Sequence, residues 1–260
     1  MSQINSRSKT ILFLGYSKQE SKVIEKLNSR NFNIFQSSEK IDKVQKNIDL
    51  IVSFGYKHIL STQLIEETKT PIVNVHLSLL PWNRGAHPNF WSFWDNTPSG
   101  VTIHKIDPGI DTGPIIYQKA FEFNIKVETF RSTYNKLFSA AEDLILDKIE
   151  KILNQEFECE KQRGKGSFHF KKDLPEDFSG WDSNVYKEIQ RLEDNGFNPS
   201  RRLLDVIDEI ENARTINNVN WMNLLRVVAI EAPDRLAEIT SKINKSDEQI
   251  SMLFRKLFNS

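Results

Sequence analysis

The sequence predicts an α/β fold, in which a doubly wound parallel sheet is followed by a mainly helical C-terminal region. Three observations lead to this prediction. In the first third of the chain, short apolar runs alternate with polar, helix-compatible stretches, a rhythm typical of strands linked by helices. Runs such as Ile11-Leu12-Phe13-Leu14 lack strict polar alternation, as expected for strands covered on both faces. Beyond Trp181, helix signals dominate.

The predicted elements follow in order along the chain. Strands are expected at 10–14, 32–35, 49–54 and 71–75, with a helix at 18–28. A strand-like run covers 100–104, a turn-rich loop 107–113 and another strand 114–117. Apolar residues near helical spacing predict a long amphipathic helix over 130–154. Because such sheets bind ligands beyond the carboxyl ends of their strands, the residues after Phe54 and Val75 are candidates for chemistry.

These elements divide the chain into three regions: an α/β domain over 1–155, a hairpin and linker over 156–180, and a helical region over 181–260. Helix candidates in the last region cover 184–193, 200–213, 219–230, 233–243 and 246–258. Their apolar stripes predict a packing face, against the first domain or against a second copy of the chain. A homodimer is therefore one expectation.

Composition restricts the classes of function. With 260 residues and 30.2 kDa, the chain suits one α/β domain with a smaller appendage. Lys+Arg and Asp+Glu balance at 35 each, so we expect neither a nucleic-acid partner nor a membrane surface. The longest apolar runs are strand-sized, which predicts neither a secretion signal nor a membrane span. The single cysteine, Cys159, suits a cytoplasmic protein.

A group of polar side chains follows the strand predicted at 71–75. Asn74 and His76 are two residues apart, so they point to the same side of that strand. Asp111 lies further along, in a loop between Gly109 and Gly113. An amide donor, an imidazole and a carboxylate suit acyl transfer to an amine, because that reaction develops a negative oxygen and releases a proton. No covalent nucleophile is required.

The motifs around these residues resemble the formyltetrahydrofolate-dependent formyltransferases. Asn-x-His precedes Leu-Ser-Leu-Leu-Pro and Arg-Gly, and Gly-Val-Thr-Ile-His with Asp-Pro-Gly-Ile-Asp-Thr-Gly follows downstream. The resemblance implies a Rossmann-like formyltransferase catalytic domain, N10-formyltetrahydrofolate as co-substrate, no metal, and a catalytic triad of Asn74, His76 and Asp111. It also implies folate contacts from the turn after the triad and from two loops, at Ser78, Leu79, Leu80, Pro81, Tyr56, Asp107, Gly109 and Ile110.

Within that family, the segment from Leu80 to Ser92 most resembles the branch that formylates nucleotide-linked amino sugars. The resemblance implies a UDP- or dTDP-linked amino-deoxy sugar as acceptor, in bacterial surface-glycan (lipopolysaccharide or O-antigen) biosynthesis. An aromatic face can stack on a sugar or base, and Arg can pair with phosphate. The candidate acceptor-binding residues are Trp82, Arg84, Gly85, His87, Asn89 and Trp91.

Two other interpretations stay open. One is a formyltransferase acting on methionyl-tRNA or on glycinamide ribonucleotide. A single glycine in residues 15–20 weighs against the glycinamide enzyme, and a helical tail with balanced charge weighs against the tRNA enzyme. The second interpretation is a non-catalytic folate or nucleotide-sugar binding module. His104 is expected to be a packed or supporting histidine rather than a catalytic one.

Overall fold

The computed structural model describes residues 7–196, all of which lie within the unit Met1–Phe197. Six strands form the main sheet and two short ones form a second sheet. In chain order the strands are β1 (Thr10–Gly15), β2 (Asn33–Ser37), β3 (Leu50–Phe54), β4 (Ile72–His76), β5 (Arg84–Gly85), β6 (Ser99–Lys105), β7 (Ile115–Phe121) and β8 (Phe168–His169).

The main sheet has the order β2-β1-β3-β4-β6-β7. Neighbouring strands run parallel from β2 to β4, as predicted for the first third of the chain. The strands β6 and β7 instead pair antiparallel, which makes the sheet mixed. A strand that is buried on both faces is apolar whether it pairs parallel or antiparallel, so the apolar runs do not predict strand direction. The predicted α/β class with a Rossmann-like sheet is confirmed.

Five α-helices accompany the strands in the described residues: α1 (Val23–Ser29), α2 (Thr62–Glu67), α3 (Pro88–Trp94), α4 (Phe130–Leu153) and α5 (Val185–Asp194). The helix expected at 18–28 begins only at Val23. Before it, the amide and hydroxyl of Ser17 donate to the Glu20 carboxylate and stabilise a turn. The long helix α4 begins where predicted, because Thr129 and Ser132 cap its first turn reciprocally.

The sheet is buried on both faces by different helices. The odd-numbered residues of β1, Ile11 and Phe13, pack in one apolar cluster with α1 and α4. The even-numbered Leu14 packs on the other face with Leu64 of α2. A third cluster joins α3 and α5 around Phe90 and Val185. This double covering explains why the strands lack polar alternation.

The segment after α4 returns to the first domain. The amide of Glu160 donates to the Ile115 carbonyl at 2.9 Å, and β8 pairs in parallel with β5. A short 3-10 helix, Lys171–Asp173, follows. The predicted helix over 184–193 corresponds to α5. The candidates at 200–213, 219–230, 233–243 and 246–258 lie outside the described residues. Within 7–196, no helix is long and apolar enough to cross a membrane.

Candidate active site

A cavity of about 830 Å³ lies beyond the carboxyl ends of β3 and β4. This is the edge at which parallel α/β sheets bind ligands. One part of the cavity lining, which we call the loop end, comes from the loops 55–60 and 106–111. The second part comes from residues 85–90, the start of α4, and two residues of the following segment, Lys171 and Trp181. The cavity therefore has room for two ligand moieties side by side.

Two side chains of β4 reach the same carboxylate in this cavity. The Asn74 Nδ2 donates to Oδ1 of Asp111 at 3.1 Å, and His76 Nδ1 lies 3.6 Å from Oδ2. The side chains of His76 and Asp111 are 10% and 13% exposed. Because alternate residues of a strand share a face, β4 aims both Asn74 and His76 at Asp111. The structure thus brings together the three residues of the predicted triad.

The tautomer of His76 follows from its second nitrogen. His76 Nε2 lies 2.9 Å from the carbonyl oxygen of Asn83, and a carbonyl only accepts, so Nε2 carries a proton. In the neutral ring, Nδ1 is then the basic nitrogen. Protonation of Nδ1 would create an ion pair with Asp111. The site can therefore accept a proton at one defined atom.

Asp111 is ionised in this environment. Burial opposes ionisation, but the nearby His76 and His104 rings and the Gly85 N–H outweigh it and keep the pKa of Asp111 well below its usual range. The Gly85 amide donates to Oδ2 at 2.9 Å. Asp111 has φ 52°, in the left-handed region that few side chains adopt. A strained aspartate in a cavity is a feature of functional sites.

His104 is a buried supporting member of this cluster, as expected from the sequence. Its Nε2 lies 3.1 Å from Asn74 Nδ2 and 3.4 Å from Asp111 Oδ1, while Nδ1 donates to the Lys105 carbonyl. Both amide protons of Asn74 are thereby directed at protein acceptors, so donation to a ligand requires exchange of one bond. The register that opposes Asn74 to His104 comes from the antiparallel pairing of β4 and β6.

Four of the predicted folate contacts line the end of the cavity formed by the loops: Tyr56, Asp107, Gly109 and Ile110. The Tyr56 hydroxyl donates to the Glu39 carbonyl at 2.8 Å, so its ring rather than its hydroxyl is free to face a ligand. The carboxylate of Asp107 accepts from Gly109 N and Thr112 Oγ1, and thereby stabilises the loop. Ile110 is 40% exposed at the cavity rim.

The turn after β4 lies outside the lining of the cavity. The side chains of Ser78, Leu79, Leu80 and Pro81 do not line the cavity. The Ser78 hydroxyl donates to the Trp82 carbonyl, and the Leu80 amide donates to Thr102 Oγ1 of β6. Strand alternation ends at His76, so it does not predict which way this turn faces. The turn therefore supports β6 and the strand end before it, and folate contacts of its residues stay a prediction.

The predicted acceptor contacts divide into two sets. Gly85, His87 and Asn89 line the cavity, whereas Trp82, Arg84 and Trp91 do not. Trp91 is fully buried and its ring stacks on His169 at 3.9 Å, because it lies on the face of α3 that packs on the core. Arg84 is bound to Gln162 through Nε and Nη2. These three residues thus lie outside the cavity lining, and their contact with an acceptor stays a prediction.

Asn89 offers an open acceptor at the cavity. Its Nδ2 donates to the Phe130 carbonyl at 2.9 Å and to Thr133 Oγ1 at 3.0 Å. Its Oδ1 is buried and has no hydrogen-bond partner within the described part of the chain. Because an unpaired buried carbonyl is costly, this atom suits a ligand hydroxyl or N–H.

His87, Lys171 and Trp181 form an aromatic and cationic wall of the cavity, in which sequence reasoning missed Trp181. The His87 ring lies 5.4 Å from that of Trp181. Burial and the positive charge of Lys171 lower the pKa of His87, so its neutral ring is favoured there. Trp181 stands far from α3 in the sequence and gave no signal of its own.

Cation sites need clusters of ligating side chains. Between residues 7 and 196, no group of three or more His, Cys, Asp and Glu side chains is placed to hold a metal ion.

The comparisons with known proteins agree with the motifs. Residues 2–149 match the family described as Formyl transferase. The dTDP-4-amino-4,6-dideoxyglucose formyltransferase of Mycobacterium bovis is 31% identical over 137 residues, which are 53% of this chain and 57% of that protein. A methionyl-tRNA formyltransferase of Fusobacterium nucleatum is 34% identical over 133 residues, 50% of this chain and 43% of that protein. The chain thus spans about half the length of these relatives.

A solved structure matches over more of its length. The formyltransferase PseJ from Anoxybacillus kamchatkensis, crystallised with UDP-4,6-dideoxy-4-formamido-L-AltNAc and tetrahydrofolate, is 37% identical with a TM-score of 0.63. The match covers 68% of this chain and 96% of that one. It therefore covers a larger share of this chain than the family match does.

Proposed function

Because the chain belongs to the formyl transferase family, we propose that it transfers a formyl group from N10-formyltetrahydrofolate to the primary amine of a UDP- or dTDP-linked amino-deoxy sugar. The observation that carries this proposal is the cluster of Asn74, His76 and Asp111 in a cavity with two chemically different ends. The two substrates would meet at this cluster.

The cavity fits both substrates by chemistry. The loops 55–60 and 106–111 offer an aromatic ring, apolar side chains and backbone groups, which suit a flat pterin and its aromatic linker. The opposite wall offers Trp181 for stacking and Lys171 for the charge of a diphosphate. Formyltetrahydrofolate is a substrate here, consumed in each turnover.

His76 and Asp111 would manage the proton. The amine attacks the formyl carbon, a new C–N bond forms, and the bond from that carbon to folate N10 breaks. The amine proton passes to His76 Nδ1, where Asp111 Oδ2 at 3.6 Å stabilises the imidazolium. The same proton can then return to the departing nitrogen. No acyl-enzyme is needed.

Asn74 would stabilise the oxygen that gains negative charge. Its Nδ2 donates to Asp111 and His104 in the structure, and one of these bonds would be exchanged for a bond to the formyl oxygen. The bond that remains would keep Nδ2 oriented toward the reacting carbon. This is the role of an oxyanion donor.

The relatives support the choice of a sugar acceptor. PseJ was crystallised with a formamido sugar on UDP, and the Mycobacterium bovis relative is named for a dTDP-linked amino sugar. The proposal includes a role in bacterial surface-glycan assembly, in the cytoplasm. The proposal covers both UDP and dTDP as the nucleotide, and the panel of amino sugars described below identifies the sugar.

A second candidate is formylation of methionyl-tRNA, favoured by the identity to the Fusobacterium nucleatum enzyme. The neutral net charge weighs against it, because binding of tRNA through phosphates needs excess positive charge. Binding of initiator tRNA with a steep loss of affinity at rising salt would favour this candidate.

The test incubates the full chain with N10-formyltetrahydrofolate and a panel of UDP- and dTDP-linked amino sugars, followed by mass spectrometry. We expect one sugar to gain the mass of a single formyl group, and the His76→Ala variant to lose this activity. Stoichiometric folate binding without product from any sugar would contradict the proposal and favour a non-catalytic binding module.

A further inference from the structure

Gln162 uses every hydrogen-bonding position of its side chain at the edge of the site. Its Nε2 donates to the carbonyl of Asp111 at 2.7 Å and to that of Gly113 at 2.8 Å. Its Oε1 accepts from Arg84, at 3.0 Å from Nε and 2.7 Å from Nη2. A side-chain amide has two donor protons and two acceptor positions, so all four are occupied.

These bonds constrain Asp111 from two sides. Nε2 fixes the main chain of Asp111 itself. Oε1 fixes Arg84, and the next residue, Gly85, donates its amide to the Asp111 carboxylate. The pairing of β5 with β8 supports this strand, since Arg84 N donates to the Ser167 carbonyl at 3.0 Å. Gln162 therefore links the backbone and the side-chain partner of Asp111.

The loop needs such a constraint. Asp111 adopts φ 52°, a conformation that costs free energy in any residue with a side chain. Gly113 lies so close to β6 that an added Cβ would come within 1.7 Å of the Lys105 carbonyl oxygen. The loop is held tightly against β6 on one side, and Gln162 bonds to its outer side.

Gln162 lies beyond residues 2–149, the part of the chain that matches the family. It is half-buried beside the cavity but does not line it. From its contacts we infer that Gln162 is a positioning residue for formyl transfer, which keeps Asp111 in its reactive position without touching either substrate. This inference rests on the proposed function.

The test uses two variants that divide the contacts. Gln162→Met has a similar length and removes all four bonds, whereas Gln162→Glu retains an acceptor for Arg84 and removes both donors to the loop. We expect each to lower kcat by about 10- to 100-fold, as when a supporting contact of a reactive group is lost. KM for both substrates should stay within about threefold, because neither substrate touches this residue.

Two controls separate positioning from loss of folding. Gln63, whose side chain bonds Glu67 on exposed α2, is replaced by Met, and we expect native kcat. Thermal unfolding of each variant shows the folded fraction, and Gln162→Glu decides the question where Gln162→Met fails to fold. Crystal structures of the Glu variant should show the bond from Gly85 N to Asp111 lengthened or lost.

Native kcat in the folded Glu variant would overturn the inference, as would a lower kcat with Asp111 still bonded to Gly85. A wild-type chain that formylates no amino sugar would instead contradict the proposed function. In that case the crystal structures alone test whether Gln162 positions Asp111.

Discussion

The triad and the wall of the cavity differ in how their polar groups are satisfied. Around the triad, the groups bond to one another: Asn74 to Asp111 and His104, and Asp111 to Gly85. At the opposite wall, Asn89 Oδ1 has no partner within residues 7–196 and Lys171 is exposed. The first arrangement is preorganised for chemistry, and the second leaves polar groups for a ligand.

This difference predicts that substitutions in the triad cluster and substitutions at the wall change different kinetic constants. Loss of a group in the bonded cluster should lower kcat, because its interactions strengthen only as charge develops. Loss of a group at the wall should raise KM for the acceptor, because it binds ground state and transition state alike. Variants at each end therefore test whether the division is real.

The largest expected effect is at Asp111. In Asp111→Asn the imidazolium of His76 loses its counter-charge, so we expect kcat to fall by about 10³-fold. Steady-state kinetics with the sugar identified by the panel measures this. The exposed Asp143, replaced by Asn, is the matched control and should retain native kcat. A kcat within tenfold of native in Asp111→Asn would contradict the account, by an order-of-magnitude criterion.

Asn74→Ala comes next. Removal of one oxyanion donor costs about 10²-fold in kcat in other acyl-transfer sites, and we expect a similar loss here. Tetrahydrofolate affinity, measured by calorimetry, should change little. The exposed Asn135 on α4, replaced by Ala, serves as control. If Asn74→Ala chiefly weakens folate binding, the residue belongs to the binding end of the comparison.

At the wall, Trp181→Ala should raise KM for the nucleotide sugar by about tenfold, the size of one lost stacking contact. The matched variant Trp181→Phe keeps an aromatic face, so its KM should lie between that of the wild type and that of Trp181→Ala. Trp181 also packs on Phe178 at 4.9 Å, so thermal unfolding must accompany the kinetics. A fall in kcat with native KM would erase the distinction between the two ends.

The smallest effect concerns pH. The pKa of Asp111 is lowered in the folded state, so its carboxylate stabilises the fold above its ordinary pKa of about 4, and this contribution is lost as pH falls through the lowered value. In urea unfolding, Asp111→Asn should lower the free energy of unfolding by less at about pH 3 than at about pH 7. An equal loss of unfolding free energy at both pH values would contradict the conclusion that Asp111 is ionised in the folded protein.

The sequence predicted the bonded cluster better than the wall. Asn74 and His76 follow from strand alternation, and Asp111 follows from the family motif. The supporting role of His104 was expected, but its partner Asn74 was not, because that contact depends on the antiparallel register of β4 and β6. Alternation within one strand carries no information about the strand beside it.

The predicted site residues that do not line the cavity share a cause, which is contact with distant segments. Arg84 was expected to bind phosphate, but Gln162, 78 residues away, occupies its guanidinium. Trp91 was expected at the acceptor, but it stacks on His169 of β8. The Ser78–Pro81 turn faces Thr102 of β6 instead of the cavity. Motif spacing describes local geometry, and these partners are set only by the tertiary fold.

The most direct measurement is a double-mutant cycle at His76 and Asp111 in single-turnover formyl transfer. Two groups that handle one proton act as a unit, so His76→Ala, Asp111→Ala and the double variant should be slowed to nearly the same rate. If the rate loss of the double variant equals the product of the two single losses, or if either single variant keeps the native rate, the claim that this pair transfers the amine proton is contradicted.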